Sequence, residues 1–200
     1  MSKEIELLKE AIKILEEREK SSKVQLSTLK PGETFKVGEH DFVVLKQGEE
    51  VTHVISKDFM AGNIKFDENT RDYKKSNLKK VIERDIQTLI EKEVGADNII
   101  EHEVDLTSVD MQNEFGKCKC KVRPITFDEA REFNDLIANE NLNDWWWTCT
   151  PWSTEKRGYK YSVAVVHPSG LVSSDRCNDI NGVRPFCILK SNIFVSKGEK

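Results

Sequence analysis

Three consecutive tryptophans, Trp145-Trp146-Trp147, constrain the fold of this chain more than any other feature. In an extended strand successive side chains point to opposite faces, so Trp145 and Trp147 share one face and Trp146 takes the other. One face must be core. The other is either covered by a helix or loop, or presents an indole to a ligand. All four tryptophans fall inside eight residues. Trp152 follows Pro151, where the strand is expected to end, and is predicted to be partly exposed.

The flanking sequence carries strand and helix signals. Thr34–Val37, Phe42–Lys46 and Val51–Ile55 are β-rich runs separated by Gly38-Glu39-His40 and Gly48-Glu49-Glu50, which predicts an antiparallel meander. Tyr161–Val166 reads as a strand, and His167-Pro168-Ser169-Gly170 as a type I turn with Pro at i+1 and Gly at i+3. Leu171-Val172 returns, and Val183–Leu189 is a last strand interrupted by Pro185. Leu78, Val81, Ile82, Ile86, Leu89, Ile90 and Val94 recur at helical spacing between Ser76, an N-cap, and Gly95 at C′. Thr126-Phe-Asp-Glu129 is a capping box opening a second helix, whose inner face is Phe127, Ala130, Phe133 (or Asn134) and Ile137. Residues 98–121 are less regular, with a strand over Ile99–Leu106 and an excursion ending at Gly116.

Residues 3–20 read as a further helix. Ile5, Leu8, Ile12 and Leu15 fall at a and d positions of two heptads, a choice that favours a two-stranded parallel coiled coil. So short a helix is marginal alone, so it either packs on its own domain or pairs as a dimerisation arm giving a homo-oligomer. Lys20–Lys23 is the expected hinge. The division is therefore an N-terminal helix over 1–23 and one domain over 24–200.

Composition excludes several function classes. Thirty-one Lys+Arg against thirty-five Asp+Glu leave a net charge of −4, so bulk charge argues against a nucleic-acid partner. An apolar fraction of 38% suffices for a core. No apolar run approaches the roughly 20 residues that span a membrane, and Met-Ser-Lys-Glu-Ile-Glu has no apolar h-region, so neither a membrane partner nor a signal peptide is expected. Five cysteines at 118, 120, 149, 177 and 187 do not suggest a disulfide framework, which points to a reducing, cytoplasmic or a virion-associated location. Charge is uneven: residues 141–200 carry eight basic and five acidic side chains, the rest 23 and 30.

Little in the sequence suggests catalysis. Cys118-Lys-Cys120 could ligate a soft metal, yet one Cys-x-Cys without a second pair lacks the spacing of structural zinc. His40, His53, His102 and His167 share no helix-face spacing, and no phosphate loop, G-x-S-x-G or H-E-x-x-H is present. The expectation is no catalytic residue, no metal and no cofactor. Arg184 precedes Pro185 and is held extended; in an apolar strand it needs a carboxylate or carbonyl partners, as a structural fork or as a ligand contact.

Trp145-Trp-Trp-Thr-Cys-Thr-Pro-Trp-Ser153, Tyr161-Ser-Val-Ala-Val-Val-His-Pro-Ser-Gly170 and Gly182-Val-Arg-Pro-Phe186 together resemble a domain family common in Firmicutes genomes and their phages and prophages. Leu29-Lys-Pro-Gly-Glu-Thr-Phe35, Asp41-Phe-Val-Val-Leu45 and Ser76-Asn-Leu-Lys-Lys-Val-Ile82 resemble the opening of the same family, extending the likeness over 24–196. By analogy with sulfatase-modifying-type and phage ligand-binding domains, the resemblance implies an α+β, C-type-lectin-like fold. In that fold two helices flank small antiparallel sheets, and the final strand pairs back near the first. The Glu-Pro-Asn, Gln-Pro-Asp and Trp-Asn-Asp tripeptides of calcium-dependent lectins are absent. The reactive cysteine pair of the formylglycine-generating relatives has only Cys118 and Cys120 as a counterpart, outside the sheet motif.

The expected function is a phage- or prophage-type binding module. Its ligand-facing residues would be Trp146, Trp152, Tyr159, Tyr161, Asp175, Arg176, Asn178, Asp179 and Asn181. Trp and Tyr offer rigid contact area, while Ser, Asn and Asp offer adaptable polar contacts. Residues 173–181 read as a polar loop, either merely solvated or variable; in phage proteins of this type the stretch before G-V-R-P is where diversity-generating retroelements write variation. The alternatives are an intracellular inhibitor of a host defence or regulatory protein, working through its acidic N-terminal two-thirds and helix arm, and a metalloprotein centred on Cys118 and Cys120.

Overall fold

A computed structural model of the protein describes residues 5–10, 12 and 23–198. Residues 5–10 and 12 are helical, and Ile5, Leu8 and Ile12 are exposed; Leu15 and residues 20–22 of the expected hinge lie outside the described residues. Residues 23–198 form an α+β structure of two sheets, a two-stranded ribbon and few helices.

The larger sheet has seven antiparallel strands. In order across the sheet they are β1 (Lys23–Gln25), β14 (Phe194–Lys197), β2 (Thr34–Val37), β3 (His40–Gln47), β4 (Val51–Ser56), β13 (Pro185–Lys190) and β8 (Val122–Pro124). The expected meander is β2–β3–β4. Its central strand is apolar at four successive positions, which suits a strand covered on both faces. Phe42 and Val44 enter the larger core with Phe35 and Val54; Val43 and Leu45 enter a smaller core with Ile55 and Phe186. The last strand pairs with both β1 and β2, closing the chain's end onto its beginning.

The second sheet runs β11 (Val172–Arg176), β10 (Ser162–Val166), β9 (Trp146–Pro151), β12 (Ile180–Val183) and β5 (Ala61–Lys65), with β12 parallel to β9. Trp147 packs into the larger core edge-on to Phe66, and its indole N–H donates to the Ile64 carbonyl at 2.7 Å. Trp146 is buried on the opposite face in the smaller core. Both faces of the strand are therefore core. Trp145 precedes the strand but packs against the same larger core as Trp147, as expected of a shared face; it is half-buried and stands edge-on to His167 at 4.9 Å. Residues 173–181 depart from the expected loop. They continue β11 to Arg176, turn through Cys177–Asp179, and enter β12 at Ile180. A polar run can be a strand here because β11 is an edge, wet along one side.

Gly182 shows why the G-V-R-P segment begins with glycine: a Cβ there would lie 2.5 Å from the Phe59 ring. Immediately afterwards the chain leaves one sheet at Val183 and joins the other at Pro185, with Arg184 at the switch. Pro185 opens its strand, where a missing N–H is tolerated.

Helix α1 spans 77–94, capped by Ser76 and ended by Gly95 at φ 88°. Leu78, Ile82, Ile86 and Ile90 are its buried stripe. A strict spacing of four drifts by about 40° per step on an ideal α-helix; the wider π turn at Ile82–Ile86 takes up that drift. The Thr126–Glu129 capping box is present and opens α2 (Phe127–Glu132), which breaks at Phe133 before α3 (Asn134–Ile137). Ala130, Phe133 and Ile137 are buried as expected, while Phe127 is half-exposed. Within 98–121, β6 (His102–Asp105) pairs with β7 (Lys117–Cys120). Among the described residues no helix is long and apolar enough to cross a membrane.

Candidate binding surface

The residues expected to face a ligand divide into two groups. Trp152, Tyr159, Tyr161, Arg176, Asn178 and Asp179 reach the surface, Trp152 and Tyr161 being half-buried and the others exposed. Trp146 and Asn181 do not. Trp146 is fully enclosed, and its face carries the Arg184 guanidinium at 4.8 Å. Asn181 is 2% exposed and donates from Nδ2 to the Asp175 carboxylate at 3.1 Å. Neither can touch a ligand. Asp175 is half-buried: burial pushes its carboxyl up against the pull of Asn181, and Asp179 and Asp144 add to the rise.

Register brings part of the exposed group together: Tyr161, Arg176 and Asp179, with Asn178 between the last two. Ser162 opposes Arg176 across β10 and β11, which places the Arg176 guanidinium 5.7 Å from the Tyr161 ring. Lys160 approaches the same ring at 5.5 Å while pairing with Glu155 at 3.3 Å. The Asp179 N–H donates to the Arg176 carbonyl, and the Arg176 N–H donates to the Asp179 carboxylate, closing the turn that displays Asn178. Lys156 and Arg176 make no ion pair among the described residues, so their charge is open to a partner.

The platform beneath is tied down by side-chain contacts, and sequence reasoning missed the residues that make them. Buried Arg71 donates from Nε to the Tyr159 carbonyl at 2.9 Å, pairs with Glu114 at 2.6 Å, and lies 4.8 Å from the Phe115 ring centroid. Asp110 accepts from Ser108 at 2.6 Å, from Ser153 at 2.5 Å and from Arg157. The two serine hydroxyls, with Arg157, hold its carboxyl down at about 2. Gly158 turns the loop at φ 88°. Cys177 is buried at the tip of the second segment; its N–H donates to the Tyr161 carbonyl and its carbonyl accepts from Asp67. Arg71 and Asp110 lie in irregular segments far away in sequence, where no periodicity marks a side chain as inward.

The cysteines are placed against reactivity. All five are free and buried. Cys118 and Cys120 share the core-facing side of β7, and burial pushes Cys120 up to about 12 and Cys118 in the same direction. Burial also pushes up Cys149, Cys177 and Cys187, the last to about 12. Thiols held protonated are neither nucleophiles nor good metal ligands. Among the described residues no group of three or more His, Cys, Asp or Glu side chains converges to hold a metal.

No protein-family model matches the chain, and neither does any curated protein or any solved structure.

Proposed function

We propose that this chain is a non-catalytic binding module of C-type-lectin-like architecture, of the kind phages and prophages carry. It engages a macromolecular ligand through Trp152, Tyr159, Tyr161, Arg176, Asn178 and Asp179. The observation that carries this reading is the Tyr159–Tyr161–Arg176 group: two tyrosines and an arginine displayed on a platform pinned by Arg71, Asp110 and Cys177. Such residues dominate binding energy, and a preorganised surface loses little entropy on association. The return of the last strand to the first and the two flanking helical segments support the architecture. Retroelement-type variation would fall on Arg176, Asn178 and Asp179, and would spare the enclosed Cys177 and Asn181.

The test is capture of host-cell surface and cytosolic fractions on the immobilised full chain, in parallel with Tyr159→Ala and Arg176→Ala. A partner retained by the parent and lost by both folded variants is expected. A partner that binds all three equally overturns this surface.

A second reading, the intracellular inhibitor, is favoured by one observation: Ile5, Leu8 and Ile12 are exposed on a helix. In that reading the seam with Leu15 recruits a second copy or a partner helix. Light scattering of the full chain and of a form lacking residues 1–20 decides it: a dimer that becomes monomeric is expected, and a full-length monomer at tens of micromolar excludes the arm.

A further inference from the structure

Arg184 is 1% exposed, yet no carboxylate lies within ion-pair distance of it among the described residues. Its Nε donates to the Ser56 carbonyl at 3.0 Å and its Nη1 to the Ile137 carbonyl at 2.6 Å. The guanidinium also lies 4.8 Å from the Trp146 ring centroid. Nη2 makes no hydrogen bond among the described residues and is not sealed off from solvent. Arg184 helps line a cavity of about 340 Å³, together with Val43, Leu136, Asn139, Lys57 and the Lys197–Glu33 pair. A buried cation left without an anion is costly, and burial pulls Arg184 down to about 10 with Asp58 the acidic group opposing the fall.

We propose that this cavity binds a small organic carboxylate, its head on Arg184 Nη2 and its body against Val43 and Leu136. The charge around the cavity fits one negative charge. Glu33 is neutralised by Lys197 at 2.8 Å, and Asp58, which accepts from Asn139 at 3.2 Å, offsets one of Arg184 and Lys57, so among the described residues one positive charge is left over. Lys57 makes no ion pair among the described residues. The volume is at the small end of ligand pockets, about 300–1,000 Å³. Two aliphatic side chains suit an apolar body, and one open guanidinium nitrogen with one lysine suits a monoanion better than phosphate, which calls for more donors. The site shares no residue with the Tyr159–Arg176 surface, and its existence does not depend on that surface binding anything.

The full chain is titrated with butyrate, benzoate and inorganic phosphate, each against chloride at matched ionic strength. Thermal midpoint and tryptophan emission are both recorded, since Trp146 lies against Arg184. A saturable rise in midpoint is expected with both carboxylates, as for any ligand that binds only the folded state. Lys57→Glu, at a half-exposed position, is expected to keep the unliganded midpoint and weaken carboxylate binding about tenfold or more. Tyr159→Ala is expected to leave the response unaltered. No saturable response to either carboxylate, an undiminished response in Lys57→Glu, or tighter binding of phosphate than of both carboxylates would each overturn the proposal.

Discussion

Arg123 on β8 and Glu129 in the first turn of α2 face each other through two parallel hydrogen bonds, Nη1 donating to Oε2 and Nη2 to Oε1, both at 2.6 Å. The same carboxylate accepts the Thr126 N–H at 2.7 Å, so the capping box and the ion pair share one side chain. Arg123 also lies 4.4 Å from the Phe186 ring centroid and donates from Nε to His102 Nε2 at 2.9 Å. Burial works to raise the Glu129 carboxyl, and the guanidinium outweighs it, leaving it below the usual range. One contact thus joins a strand, a helix cap and a ribbon.

Removing one partner of that pair strands the other charge in the core. Glu129→Gln is expected to destabilise the protein by about 3–5 kcal/mol, read from urea unfolding midpoints at constant slope. A loss below about 1 kcal/mol, the range of exposed pairs, would mean that water reaches Arg123.

Stability is expected to fall below neutral pH because of His102. Burial, then the Arg123 charge, pulls it from 6.5 to about 4, and its Nδ1 lies 3.2 Å from the Ile100 carbonyl, so the neutral ring donates there and accepts from Arg123. Between those values the unfolded chain binds a proton that the folded chain refuses. The contribution is complete above about pH 6.5 and is lost as pH falls toward 4. His53, lowered first by burial, acts in the same direction. Urea midpoints across this range should decline less steeply for His102→Gln, whose amide oxygen accepts from Arg123 without titrating; an identical decline refutes the assignment.

Surface and scaffold should separate cleanly. Arg176→Ala and Asn178→Ala should each move stability by no more than about 0.5 kcal/mol, as at other exposed sites, and Asp179→Ala, which removes the acceptor of the Arg176 N–H, by about 1 kcal/mol. Trp146→Ala and Trp147→Ala should each cost roughly 3–5 kcal/mol. Thermal denaturation of the five single variants measures both groups, and a tryptophan variant as stable as the parent would contradict the two-core packing.

The thiols should react only on opening. With all five cysteines buried and pushed upward, a disulfide reagent is expected to label the native chain no faster than it unfolds. Rapid stoichiometric labelling of one cysteine at neutral pH would show a reactive thiol.

Legibility in the sequence followed the range of the interaction. Ser76, Gly95, the Thr126–Glu129 box and the turn at His167–Gly170 were readable because each is closed by hydrogen bonds spanning a few residues. The meander was readable because Gly and polar punctuation bound each strand. The surface group was partly readable: aromatic and polar residues near the C-terminal strands do meet at Tyr161 and Arg176. Trp146 and Asn181 were misassigned because strand alternation tells which residues share a face and not what lies opposite. The β11 part of 173–181, up to Arg176, was missed because an edge strand needs no apolar alternation.

By itself, then, the sequence determined the local units: caps, turns, the α1 stripe, and a tryptophan strand with a core on at least one side. Tertiary structure alone decided which units meet. His53 and His102, with no common spacing, both stand edge-on to Phe186. Arg71 reaches Tyr159 across 88 positions, and Arg184 finds carbonyls at Ser56 and Ile137 where, among the described residues, no carboxylate comes within ion-pair distance. The physical reason is that caps and turns are satisfied by neighbours in the chain, whereas buried charges are satisfied by whatever strand order and register bring alongside them, and local patterning does not encode that order.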